Sequence, residues 1–188
     1  GVSTNFEIDI FQPIIQNISE IVEVKYDSKT ENGKMMNRIA DHMRAIIFCI
    51  SDGVLPGNEG RGYVERRLLR RAVRDGLKLG KEECFLYKLV PVIAEVMHDA
   101  YPEIKQRREN IARIIKNEEE RFHETLFMGR KRLGELMEGL RRSGQKMLSG
   151  QDAFQLYDTF GFPFEITEST VTENNLTVDK EGFEREMR

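Results

Sequence analysis

Residues Met35 to Gly76 read MMNRIADHMRAIIFCISDGVLPGNEGRGYVERRLLRRAVRDG. Two patterned runs flank a loop of Pro, Gly and Asn. In the first run Met35, Met36, Ile39, Ala40, Met43, Ile46, Ile47 and Ile50 recur at three- and four-residue spacing. That period predicts a helix over Met35–Ser51, stopped by Asp52-Gly53. In the second run, a wheel of roughly 100° per residue puts Val64, Leu68, Leu69, Ala72 and Val73 in one half. Arg66, Arg67, Arg70, Arg71 and Arg74 fill the other half, and only Glu65 breaks the separation. This predicts a helix over Tyr63–Asp75, with Gly76 in the left-handed position that follows a helix end.

Outward from this pair the helical period persists. Ile10, Ile14, Ile15, Ile18, Ile21 and Val22 mark a helix within Phe6–Val24, with Pro13 near its start. Asn32-Gly33 reads as a turn. Lys81–Asp99 reads as a buried helix kinked or divided at Pro91. Pro102–Arg142 is long and charged, with a narrow seam of Ile111, Ile115, Phe122, Leu126, Leu133, Leu136, Met137 and Leu140. Unbroken, such a helix reaches roughly 60 Å, suited to a strut or hairpin arm, with self-association through the seam as the alternative. A break follows at Ser143–Gly150, then a short helix capped by Ser149 with Asp152 and running to about Asp158. Thr159–Pro163 turns the chain, Glu165–Asn174 is helical, Leu176–Val178 is extended and Asp179 caps a last helix. The fold class is therefore all-α: a multi-helix domain with one long charged helix and a smaller C-terminal helical subdomain. The expected segments are residues 1–24, 25–148 and 149–188.

Composition narrows the function. Apolar residues make up 39% and charged residues 32%, enough for a core beneath a heavily solvated surface, and against disorder. Cys49 and Cys84 lie far apart in apolar contexts and read as buried, reduced thiols. Without a leader or an apolar run of membrane length, a soluble cytoplasmic protein with no membrane partner is expected. The net charge of −3 conceals an asymmetry: seven basic and two acidic residues between Arg61 and Lys78, against three basic and seven acidic between Glu165 and Arg188. A local basic face in an acidic chain points to a directed anion partner.

Two readings of the arginine helix stand side by side. Its cations pair with neighbouring acids, such as those of Pro102–Glu120, or they grip a phosphate backbone, to which guanidinium makes forked contacts. In the loop before the helix, Gly57, Gly60 and Gly62 allow close backbone approach, and the Asn58 amide offers a donor and an acceptor to a base edge. The loop lacks the Lys-Ser/Thr ending of a triphosphate-binding loop and the spacing of calcium ligands. His42, His98 and His123 are scattered, so no metal site is expected, and His42 reads as a packed histidine with a lesser option of orienting Arg44. Phe154, Tyr157, Phe160, Phe162 and Phe164 could stack on bases, but packing of the C-terminal helices is the stronger reading.

Three stretches carry a family resemblance. RIADHMRAIIFCISDGVLPGNEGRGYVERRLLRRAVRDG (Arg38–Gly76), LYDTFGFPFEIT (Leu156–Thr167) and TNFEIDIFQPII (Thr4–Ile15) occur in the order and at the distances seen in alanyl-tRNA synthetases, which this chain resembles along essentially its whole length. The resemblance implies the middle helical tRNA-recognition domain with a trailing piece of the catalytic domain, and no aminoacylation by this fragment alone. No residue here is expected to be catalytic, and no cofactor is expected to be bound. ATP, magnesium and zinc are implied only for the full-length enzyme, whose catalytic and editing domains are partners within the same chain. The family reads a G·U wobble pair in the acceptor stem of tRNA(Ala), largely through one Asn and one Asp, which match Asn58 and Asp158. Arg61, Arg66, Arg67, Arg70, Arg71 and Arg74 are then the expected backbone contacts, with RNA rather than DNA as ligand. A helical protein–protein interaction module using the arginine face remains the alternative.

Overall fold

Thr30 begins the helix that the opening stretch announced, and it begins it early. Its hydroxyl accepts from the Gly33 N–H at 3.1 Å, so the helix runs Glu31–Ser51 (α2). Asn32-Gly33, expected as a turn, lies inside its first turn. Gly33 is needed there because a Cβ would stand 1.9 Å from the Asp27 carbonyl oxygen, a contact that the pattern of nearby residues could not reveal. The computed structural model describes residues 4–187, so the extreme ends of the first and last expected segments, residues 1–3 and 188, lie outside it.

The chain forms two compact units, residues 1–120 and 121–188. The sequence suggested breaks after residues 24 and 148. In the first unit, a single 3-10 turn at Asn5–Glu7 precedes α1 (Gln12–Val22), which opens with Pro13 in its first turn. Ile14, Ile15 and Ile18 of α1 are fully buried, and α1 packs on α2 and on α4 (Val90–Met97). This packing draws the leading helix into the first unit. The arginine-rich helix is α3 (Gly60–Lys78), longer at both ends than its apolar period indicated, and it packs along α2. Gly76 does not end it. Gly76 is helical and buried, and a Cβ there would meet the Phe85 ring at 2.4 Å. The left-handed residue that follows the helix is Gly80, at φ +86°. Pro91 divides the next segment as expected, between a 3-10 turn at Leu86–Leu89 and α4.

Two buried acids tie this unit together. Asp75 takes a forked pair of hydrogen bonds from Arg38, 2.8 Å from Nε and 2.7 Å from Nη2, fastening α3 to α2. Glu119 lies on α5 (Pro102–Ser143). Its carboxylate accepts from the N–H groups of Phe85 and Leu86 at 2.8 and 3.2 Å, capping the 3-10 turn. Asp75→Ala should cost about 2 kcal/mol in a urea titration of the first unit. The half-exposed Arg38 can recover water, which keeps the loss below the 3–5 kcal/mol of a fully buried pair. An unchanged midpoint would show that the fork adds nothing to the α2–α3 packing.

In the second unit, β1 (Met147–Leu148) pairs in parallel with β2 (Thr177–Val178). The extended character of 176–178 was legible in the sequence; its partner was not. Ser149 caps α6 (Gly150–Phe160) by accepting from the Asp152 N–H at 3.0 Å. After the turn through Gly161 comes α7 (Phe164–Glu173), and Asp179 caps α8 (Lys180–Glu186) by accepting from Gly182 N–H at 2.9 Å. Phe164 stacks on Phe183 with centroids 4.2 Å apart, and Tyr157 meets the same ring edge-on at 5.7 Å. Phe154, Tyr157 and Phe164 thus gather around the buried Phe183, in line with helix packing. No described helix is long and apolar enough to cross a membrane.

Candidate functional site

Asn58 sits at the tip of a loop that closes on itself. The Gly57 N–H donates to the Gly62 carbonyl at 3.0 Å, so the loop returns directly into the first turn of α3. Gly62 is required by that closure, since a Cβ would lie 2.4 Å from the Leu55 carbonyl oxygen. Gly60 is required by its backbone, at φ +56°. At Gly57 a Cβ would make only ordinary contacts, the nearest at 3.7 Å. The loop's glycines therefore serve its own shape first. Asn58 is exposed, and its Oδ1 accepts a hydrogen bond from Nη1 of Arg66.

The six arginines expected as backbone contacts separate into two kinds. Arg61, Arg67 and Arg71 are exposed. Arg66, Arg70 and Arg74 are half-buried. Arg70 reaches Glu118 at 3.4 Å, in line with the expectation that some arginines pair with acids of Pro102–Glu120. The apolar half of the helix is also narrower than its wheel suggested. Leu69, Ala72 and Val73 are buried, Leu68 is half-buried, and Val64 is 57% exposed. Together with Leu55 and Tyr63, Val64 gives the head of α3 an exposed apolar patch beside its cations. Glu65, the residue that broke the pattern, is 1% exposed. Neither of its carboxylate oxygens has a hydrogen-bond partner. Burial, then the charge of Glu118, raises its pKa to about 8.

Asp158 belongs to the second unit. It is exposed near the C-terminal end of α6, and no hydrogen bond or ion pair among the described residues engages its carboxylate. The turn that follows it is seated on α5 at Gly129. A Cβ at Gly129 would meet the Phe162 ring at 3.0 Å and Phe160 Cβ at 3.1 Å, so this glycine lets the 160–162 turn lie directly on the helix. The close approach gives this glycine, inside a long helix, a purpose.

Other candidates have structural roles. His42 is largely buried on α2, and burial lowers its pKa and keeps it neutral. Arg44 lies over the Phe11 ring at 5.2 Å, packing α2 on the chain that leads into α1. Cys49 and Cys84 are free and half-buried rather than buried; desolvation raises both thiols, Cys84 to about 11, which keeps them unreactive at neutral pH.

A closed Gly-rich loop leading into an arginine helix, with an uncommitted carboxylate on α6, occupies the same sequence positions as the alanyl-tRNA synthetase signatures. The family described as tRNA synthetases class II (A) matches residues 1–188. This chain belongs to that family. Among its relatives, the alanine–tRNA ligase of Geobacillus kaustophilus is 52% identical over 186 residues, covering 99% of this chain and 21% of the relative. Those of Bacillus pumilus and Streptococcus sanguinis are each 50% identical, covering 100% of this chain and 21% of theirs. The resemblance to alanyl-tRNA synthetases is borne out, and the chain spans about a fifth of the length of the curated relatives it matches.

Proposed function

We propose that this chain is the tRNA-holding part of an alanine–tRNA ligase, and that it grips the acceptor stem and inspects a G·U wobble pair from the minor groove. The observation that carries this reading is the division of labour on α3. Arg61, Arg67 and Arg71 are exposed, while Asn58 is bonded by Arg66 in the loop at the head of the helix. Exposed guanidiniums suit phosphate oxygens and fix register, but they carry no sequence information; specificity needs groups that meet base edges. A-form RNA offers a wide, shallow minor groove for this. In a wobble pair the guanine amino group is left out of the pairing and projects there. The Asp158 carboxylate, with no partner of its own, accepts from that amino group, and the Asn58 amide bonds neighbouring acceptors. The relatives' name supplies the amino acid and the ligation.

In the full-length ligase this chain would position tRNA for a catalytic domain that joins alanine to it at the expense of ATP, with magnesium there and zinc in the editing domain. The 55–62 loop does not fit a triphosphate. It is closed on its own backbone and lacks the lysine and hydroxyl that a triphosphate needs.

A second reading, docking of an acidic protein surface, draws on the exposed Leu55, Tyr63 and Val64 beside the arginines. RNA hairpins that differ only in G·U against G·C, titrated at two salt concentrations, separate the two. The chain should prefer G·U about tenfold, and Asn58→Ala or Asp158→Ala should erase that preference with less change in overall binding. The double variant R67A/R71A should weaken both hairpins alike and lower the slope of log K against log salt by about 2. Absence of both preference and salt slope would favour protein docking. Equal loss of both hairpins in N58A and D158A would remove these two residues from base recognition.

A further inference from the structure

The hydrogen bond between Arg66 and Asn58 fixes more than a loop. A guanidinium has five donors and no acceptor, so only the carbonyl end of the Asn58 amide can face it. The oxygen and nitrogen of an asparagine side chain are often interchangeable in position; here the chemistry of the partner leaves one orientation. With Oδ1 bonded to Arg66, Nδ2 is the end of the amide without a partner among the described residues, and it is a pure donor.

Arg66 is also unlike the arginines that flank it. It is half-buried where Arg67 and Arg71 are exposed, and it lies one turn before Arg70, itself held by Glu118. It stands eight residues beyond Asn58, on the second turn of α3, just past the Gly57–Gly62 closure. Loop closure places the backbone of Asn58, and Arg66 sets the rotation of its amide. We infer that Arg66 is a positioning residue that presents Asn58 to RNA as a hydrogen-bond donor, selecting acceptors on the minor-groove edge, such as pyrimidine O2 or a ribose oxygen. This rests on the reading of Asn58 as a base contact. It departs from the expectation that Arg66 touches phosphate. It also makes the two recognition side chains complementary: Asn58 gives a proton to an acceptor and Asp158 takes one from a donor.

The test uses the 188-residue chain and the same G·U and G·C hairpins, with R66Q, R66K, N58D and N58A/R66Q. R66Q should bring the G·U preference to within about twofold of that of N58A, and N58A/R66Q should lower it no further. The salt slope of R66Q should stay at the wild-type value, whereas loss of a phosphate contact would lower it by about 1. R66K, which keeps the charge but not the planar fork, should fall between wild type and R66Q. N58D keeps the loop attached to Arg66 but has no donor to offer, so it should discriminate as poorly as N58A. Wild-type preference in R66Q with a reduced slope, or full preference in N58D, overturns the inference. A readout without RNA separates this inference from the reading beneath it. In the free chain the side-chain amide of Asn58 should give an ordered NMR signal that becomes mobile in R66Q. An unchanged signal overturns the positioning role whatever RNA does. If instead N58A keeps the wild-type preference, Asn58 is not a base contact, while the amide signal still decides whether Arg66 orients it.

Discussion

Replacing Gly150 with Val should unfold the second unit while leaving the first intact. Gly150 begins α6 and faces Gly182 of α8 backbone to backbone. A Cβ at Gly150 would lie 2.3 Å from the Gly182 carbonyl carbon, 2.4 Å from the Phe183 nitrogen and 2.5 Å from the Gly182 Cα. None of these atoms can move as the tip of a flexible side chain could. They belong to the turn where Asp179 caps α8, and a Cβ at Gly182 would in its turn meet the Asp179 carboxylate at 2.2 Å. The neighbouring strand pair adds to the constraint, because Asp179 N–H donates to the Leu148 carbonyl at 2.9 Å. Relief of the overlap therefore requires α8 to leave α6. That would also strip the cover from Phe183, the ring on which Phe154, Tyr157 and Phe164 converge. Overpacking costs typically 1–3 kcal/mol where side chains can adjust, and a backbone clash belongs above that range, at about 4 kcal/mol. Amide hydrogen exchange by mass spectrometry should show lost protection across 147–187 with α1 to α4 unchanged. Wild-type protection in G150V would mean that the two glycines do not set the α6–α8 distance.

Replacing Glu65 with Gln should stabilise the first unit at pH 8.5 by about 2 kcal/mol and change it little at pH 5, the range expected for removing an unpaired buried charge. The sign follows from the direction of the shift. Burial raises the Glu65 carboxyl from 4.5 to about 8, so between those values the folded chain binds a proton that the unfolded chain has released. Stability therefore falls as pH rises through that window. Glu118 and Arg70 do not reverse this: Glu118 adds a like charge, and Arg70 reaches Glu118 rather than Glu65. Glutamine keeps the shape and cannot ionise, so the slope contributed by Glu65 disappears. Some slope remains from Glu119, raised by burial to about 7 against the lowering effect of its backbone hydrogen bonds. Urea midpoints at several pH values would measure both. A wild-type slope in E65Q, or an equal loss of stability at pH 5 and pH 8.5, would show that Glu65 is not the titrating group.

Much of this molecule could be read before any coordinates. The period of Met36, Ile39, Met43, Ile46 and Ile50 is a property of neighbours in the chain, and it placed α2 to within one turn. Caps at Ser149 and Asp179 are equally local, because a side-chain oxygen meets an N–H three residues on. Asn58, Asp158 and the arginines of α3 were visible as residue types in motifs, and those motifs were enough to indicate the family. Tertiary structure decided the rest, wherever the outcome depends on residues remote in sequence. Gly76 continues a helix because Phe85 needs the space, Val64 is exposed although its type and position suit a core, and Glu65 is buried although it is an acid. Most consequentially, one arginine in a row of similar arginines holds the Asn58 amide. A wheel gives each guanidinium a direction, but only the folded loop determines which of them meets a carbonyl oxygen and which is left to solvent.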